Sequence, residues 1–147
     1  MIEAEAEKEF LKGLKALQER NSLTALSCFE KAAGFGTRPV YSSYFGFSIA
    51  KERGQVQKGI LLCREAIEKE PENSAHYLNL GRIHLAAKNK QDALRVLREG
   101  LAYGRNEEII ALLDSIGTRK PPVLPFLDRN NPINKYLGKI LGKLGLR

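Results

Sequence analysis

Two histidines and two cysteines are the side chains in this 147-residue sequence best suited to nucleophilic, acid–base or metal chemistry. His76 and His84 lie two turns apart on one expected helix, with no cysteine nearby and no acid at metal-ligand spacing. Cys28 and Cys63 are too few and too far apart for a disulfide framework. Each sits among apolar residues at helical spacing, so both are expected to be small buried thiols. The sequence has no CxxC, no HExxH and no Gly-rich phosphate loop after a strand pattern. Gly138-Lys139-Ile140-Leu141-Gly142-Lys143 has the residue types of such a loop but the wrong spacing. Its two glycines, four apart, would suit a membrane helix pair, but the lysines beside them break any spanning segment. No set of residues therefore points to catalysis, a cofactor, a metal or a small-molecule substrate.

The elements must then position something other than a reaction centre. The length fits one domain, and 43% apolar residues suffice for a core. Charged residues at 28% and a modest share of Pro and Gly argue against wholesale disorder. No uninterrupted apolar stretch reaches the length of a bilayer span. The start, Met1-Ile2-Glu3-Ala4-Glu5, is acidic and unlike a signal peptide, which with the cysteine usage makes cytoplasm the expected compartment. The net charge of +7 is unevenly placed. Arg119, Lys120, Arg129, Lys135, Lys139, Lys143 and Arg147 face Asp128 alone, so the last 29 residues hold all but one of those charges. A nearly electroneutral body gives no nucleic-acid footprint there.

A period of 34 residues organises that body. Gly13 and Gly81 stand two periods apart, with Phe47 midway. Further columns are Ala25, Gly59 and Ala93; Phe29, Cys63 and Leu97; Ala32, Ala66 and Gly100; Leu26, Ile60 and Leu94; and Ala33, Ile67 and Leu101. Leu26, Phe29 and Ala33 share one helical face, and the equivalent residues of the next two units repeat that spacing. Each unit predicts two helices joined by a tight turn, at Arg20-Asn21-Ser22, Arg53-Gly54-Gln55 and Lys88-Asn89-Lys90. Ser22 and Asn73 are candidate N-caps, and Pro39 and Pro71 fall between units. Gly13 and Gly81 are expected at close crossings with Ala25 and Ala93, and Phe47 opposite Gly59. A rival register for the second unit uses Gly46 instead. Asn106 to Gly117 predicts one more helix, capped by Asn106, that covers the open end of the third unit.

These columns resemble the tetratricopeptide repeat (TPR) family over roughly residues 6–116. The third unit matches best, in Tyr77-Leu78-Asn79-Leu80-Gly81-Arg82-Ile83-His84, then Ala93 and Leu97. Tyr77 stands where the family has Trp and His84 where it has Tyr, whereas the first unit has Glu9 at the Trp position. The resemblance implies an all-α fold: a right-handed solenoid of about three antiparallel helix hairpins with a capping helix over residues 1–117. It also implies a concave groove lined by the first helix of each unit. Carried onto this sequence, that groove takes Phe10, Leu14 and Leu17, then Tyr41, Tyr44, Phe45 and Ser48, then Leu78, Asn79 and Arg82. Tyrosines beside Asn79 and Arg82 have the chemistry of a protein-binding surface, aromatic anchors with orienting polar groups. One subtype of the family clamps a chaperone's C-terminal carboxylate with Lys, Asn and Arg. Phe10, Leu14, Phe45, Ala75 and Asn79 occupy those positions here, so that basic clamp is absent.

Residues 118–131 hold Pro121, Pro122 and Pro125 and are expected to be an extended linker. Asn131-Pro132 then signals the start of a basic amphipathic helix over residues 132–147. Ile133, Tyr136, Leu137, Ile140, Leu141 and Leu144 make its apolar stripe, with Lys135, Lys139 and Lys143 on the opposite side. Such Pro-rich tails are similar to those of some bacterial members of the family, a likeness that assigns no role. The resulting expectation is an adaptor whose groove holds a peptide or helix of another protein. The alternative is a membrane-surface or assembly component anchored by the tail. A short amphipathic helix must place its apolar face against something, and the protein itself is the expected surface. Deleting residues 119–147 is expected to lower the melting temperature and expose apolar surface. Unchanged melting with lost binding to anionic vesicles would favour the membrane anchor.

Overall fold

The computed structural model describes residues 1–117; the linker and tail helix expected beyond them, with Ile133, Tyr136, Leu137, Ile140 and Leu144, lie outside the described residues. Among the described residues seven helices follow one another: α1 (Ile2–Gln18), α2 (Ser22–Gly34), α3 (Pro39–Arg53), α4 (Val56–Lys69), α5 (Ser74–Ala86), α6 (Lys90–Leu101) and α7 (Glu107–Gly117). The described residues contain no strand.

Local chemistry accounts for the helix ends. Side chains of Asn21, Asn73, Asn89 and Asn106 accept hydrogen bonds from the amides of Thr24, Ala75, Asp92 and Ile109, at 3.3, 3.0, 3.3 and 3.1 Å. Each satisfies one orphan donor of a helix start. The cap of α2 is thus Asn21, with Ser22 as the first helical residue rather than the cap. Pro39 opens α3, where its missing N–H costs nothing. The hairpin turns carry a column of their own. Arg20, Gly54 and Lys88 stand 34 residues apart and all have left-handed backbones, with φ of 60°, 68° and 62°. Only at Gly54 is that conformation free of a Cβ penalty.

The second hairpin departs from the other two by one residue. After α1 and α5 the amides of Asn21 and Asn89 reach back five residues, to the carbonyls of Ala16 and His84, both at 2.8 Å. After α3 the amide of Gln55 reaches back six, to Ile49 at 3.2 Å. The wider cap shifts α3 by one position against the turn. Gly46, not Phe47, therefore crosses Gly59: a Cβ on Gly46 would lie 2.8 Å from the carbonyl oxygen of Gly59, and one on Gly59 would lie 2.5 Å from that of Gly46. The rival register holds. The expected Ala25 and Ala93 contacts also need correcting. A Cβ on Gly13 would meet the Phe29 ring, and one on Gly81 would lie 2.5 Å from Leu97 Cδ2. The glycines make room for the large residues one turn further along the second helix, while Ala25 and Ala93 are buried beside them.

The helices pack as pairs, α1 with α2, α3 with α4 and α5 with α6, and each second helix also touches the next hairpin's first helix. First helices meet directly. Phe10 of α1 lies 5.0 and 5.2 Å from the Tyr41 and Tyr44 rings of α3, and α3 packs on α5. They form one inner layer, behind which the core runs as three clusters around Phe29, Cys63 and Leu97. Leu17 packs against the first two clusters and links them. The glycine crossing yields a test. Gly46→Ala is expected to destabilise by about 1–3 kcal/mol, because the new methyl meets backbone that cannot step aside. Gly81→Ala should cost less, since the new methyl meets the Leu97 side chain, which can change rotamer, rather than backbone. Denaturant unfolding of both variants checks this order, and equal losses would contradict the backbone crossing.

Candidate functional site

One chain of hydrogen bonds runs through the inner layer, from the α4–α5 turn to α7. Pro71 stops α4 and leaves Glu70 as its C-cap. The Glu70 carboxylate lies 2.9 Å from His76 Nε2, in the first turn of α5. His76 Nδ1 lies 3.1 Å from Ser43 Oγ on α3. Asn79 Nδ2 donates to the same Ser43 oxygen at 3.1 Å, and Arg82 donates to Asn79 Oδ1 at 3.4 Å. Arg82 finally donates to Glu108 on α7 at 2.9 Å, a part-exposed ion pair. His76, Asn79 and Ser43 are wholly buried, so the bonds that these three make satisfy groups that water cannot reach.

Serine, histidine and carboxylate in contact have the parts of a nucleophilic triad. The surroundings make them structural. Ser43 is 0% exposed, so no substrate atom can reach its oxygen. That oxygen also lies 3.1 Å from the carbonyl of Val40. Burial lowers the His76 pKa below the usual value, and the hydrogen bond and charge of Glu70 pull it only partly back. A neutral ring donates from Nε2 to Glu70 and accepts at Nδ1 from the Ser43 hydroxyl. The thiols are equally withdrawn from chemistry. Burial pushes Cys63 far above the ordinary thiol range, and burial with the nearby Glu9 charge raises Cys28. His84 is buried, with Nε2 lacking a hydrogen-bond partner among the described residues. Its pKa is lowered first by that burial.

The inner face itself is a group of aromatics under charged side chains. The Arg82 guanidinium lies 5.2 Å from the centre of the Phe47 ring and Lys51 Nζ lies 5.9 Å from it. Tyr44 stands beside the Arg82–Glu108 pair; burial raises its pKa most, followed by Glu108. Towards α1, Tyr41 donates to Glu3 at 3.2 Å, with Arg38 over its ring. Sequence reasoning had missed Phe47, Lys51 and Glu108. The signal for Phe47 was the Gly46 register, which takes Phe47 off the crossing and into the second core cluster, where its buried ring lies under Arg82 and Lys51.

The expected groove residues are brought together, but not as an open surface. Tyr41, Tyr44, Ser48, Leu78 and Asn79 are buried, and Phe45 and Arg82 are half-buried. Tyr41 and Tyr44 belong to the cluster built with Phe10 and Phe29. The two tyrosines are therefore core residues whose rings back the inner face. Leu78 packs with Leu97 and Ile109 in the third cluster. Arg82 is the predicted residue whose side chain reaches solvent with charge to offer. Among the described residues no group of His, Cys, Asp and Glu could hold a metal ion, and no helix is long and apolar enough to cross a membrane.

Comparison with known proteins places this geometry. Residues 50–116 match the model of the tetratricopeptide repeat. No curated protein matches the chain. Among solved structures, the TPR domain of Arabidopsis OM64 is similar with a TM-score of 0.61 at 17% identity, over 79% of this chain and 97% of that one. The Sgt2 TPR domain from Aspergillus fumigatus gives 0.60 at 17% identity, over 89% and 93%. The second TPR domain of human RPAP3, solved in complex with the HSP70 peptide SGPTIEEVD, gives 0.59 at 14% identity, over 81% and 100%. At these identities the likeness is one of fold.

The hydrogen-bond chain can be tested at its centre. Ser43→Ala strands both Asn79 Nδ2 and His76 Nδ1 in a dry site. It is expected to destabilise by about 1–3 kcal/mol, the cost of leaving buried polar groups unpaired. A melting temperature equal to the parent's would show that the chain contributes nothing.

Proposed function

We propose that this chain, which belongs to the tetratricopeptide repeat family, is an adaptor whose inner face holds a peptide or helix of another protein. The observation that carries the reading is the placement of Arg82 and Lys51 over the Phe47 ring, beside the Tyr44 edge and within reach of Glu108. Rings fixed by core packing lose little entropy on binding, and a half-buried guanidinium adds direction. One structural neighbour, the RPAP3 domain, is bound to a peptide, which supports the same use of the fold here.

The occupant we favour is not a terminal carboxylate held by paired lysines. In the observed register the second-unit clamp position becomes Tyr44 in place of Phe45, and Phe10, Leu14, Ala75 and Asn79 stand at the others. None is basic. A segment with an acidic group for Lys51 or Arg82, the cations that cover the buried Phe47 ring, suits the face better.

Affinity purification with the full chain, followed by mass spectrometry, would find the partner. Lys51→Ala combined with Arg82→Ala then tests the face, because these two cations lie over the Phe47 ring. The double variant is expected to bind about 5- to 150-fold more weakly, the loss of about 1–3 kcal/mol typical of an interface anchor. Because Arg82→Ala also takes a donor from the buried Asn79 oxygen, binding is compared well below the variant's own melting temperature, with Lys51→Ala alone as the variant that leaves the hydrogen-bond chain intact. A partner held equally by parent and variant would place the binding site elsewhere.

A further inference from the structure

We propose that the joint between the second and third hairpins is proton-responsive: a proton taken up by His76 turns the Ser43 hydroxyl from the imidazole to the carbonyl of Val40 and loosens the α3–α5 contact. The geometry supplies both states. Ser43 Oγ lies 3.1 Å from His76 Nδ1 and 3.1 Å from the Val40 oxygen, yet its one proton can serve only one of them. With a neutral ring, the hydroxyl donates to Nδ1 while Asn79 donates to the hydroxyl oxygen. With a charged ring, Nδ1 becomes a donor. The hydroxyl turns to Val40, and its oxygen accepts from both His76 and Asn79. No donor is stranded in either state, so the helices stay formed.

What changes is the charge. A cation then sits in a fully buried ring at the contact between α3 and α5, opposed by Glu70, whose side chain is 41% exposed and shared with water. The other groups facing the ring bring no counter-charge. The α3 contribution is the Ser43 hydroxyl. From α4 comes the Cys63 thiol, which donates to the Ser43 carbonyl at 3.6 Å and stays neutral because burial raises its pKa. The Arg82–Glu108 pair lies beyond Asn79. Desolvation accordingly depresses the His76 pKa below its ordinary 6.5, and Glu70 offsets only part of this. The unfolded chain then binds the proton more readily than the folded one. Stability is whole above pH 6.5 and is lost as pH falls from there through the folded pKa, by up to about tenfold in the folding constant per pH unit.

The test needs no partner, so its outcome is separate from that of the adaptor proposal. In the full chain the ring nitrogens of His76 are followed by NMR from pH 8 to 4.5, with amide exchange protection measured on the same samples. His84 is the other histidine and shifts in the same direction, so His84→Gln isolates the effect. The expected result is a neutral ring protonated at Nε2, a titration midpoint below 6.5, and protection of α3 and α5 that falls through that midpoint. Glu70→Gln, a change at a part-exposed residue, should move the midpoint lower still. A neutral ring protonated at Nδ1 would overturn the proposal. So would a midpoint at or above 6.5, or α3 and α5 protection that ignores the titration.

Discussion

Where α3 crosses α4, backbone meets backbone. Gly46 and Gly59 face one another so closely that a methyl group on either would lie within 3 Å of the other's carbonyl oxygen. That contact fixes how α3 is rotated, and the rotation decides what every other side chain of α3 can do. With Gly46 on the outer crossing, Ser43 meets α5, Tyr44 closes the aromatic cluster with Phe10 and Phe29, and Phe47 comes under Arg82. One residue of rotation is about 100°. A larger residue at the crossing would displace the core, the buried hydrogen bonds and the inner face together.

The buried chain from Glu70 to Glu108 works on a different axis. Apolar contacts between α3 and α5 would tolerate a small slide. Ser43, His76 and Asn79 do not, because each has its partners in one alignment and none has access to water. The polar groups hold the alignment of the two helices, and the rings supply the area. Arg82 ends that chain and begins the inner face, which is why its guanidinium is held by Asn79, Glu108 and the Phe47 ring at once.

Periodic features were legible in the sequence. The six columns placed the six helices of the three hairpins, the Asn106 to Gly117 pattern placed α7, and Asn73 and Asn106 announced their caps. The expected groove residues of the second and third units fall on α3 and α5, but the tyrosines among them are buried, since a tyrosine on a helix face gives no sign of being covered by Phe10 from another helix. Contacts between distant residues were not legible. Ser43 and His76 lie in different units, and nothing in either local pattern links them. The Phe47 assignment failed for a definable reason. A strict 34-residue period places Phe47 opposite Gly59, and the extra residue that moves it is absorbed in a cap whose width depends on backbone bonding.

That cap has a consequence for how such a chain can change. The left-handed residues at 20, 54 and 88 keep their spacing, and so do the second helices that follow them. Only the distance from crossing to turn differs, five-residue caps after α1 and α5 and a six-residue cap after α3. A single inserted or deleted residue at that point need not unravel the repeat. It rotates one helix by a step, retires one set of side chains from the inner face and presents another, provided a glycine waits at the new crossing. Two adjacent candidates, Gly46 and Phe47, show what the step exchanges. Recognition in such a scaffold can then be renewed by insertion as well as by substitution, with the outer helices left where they were.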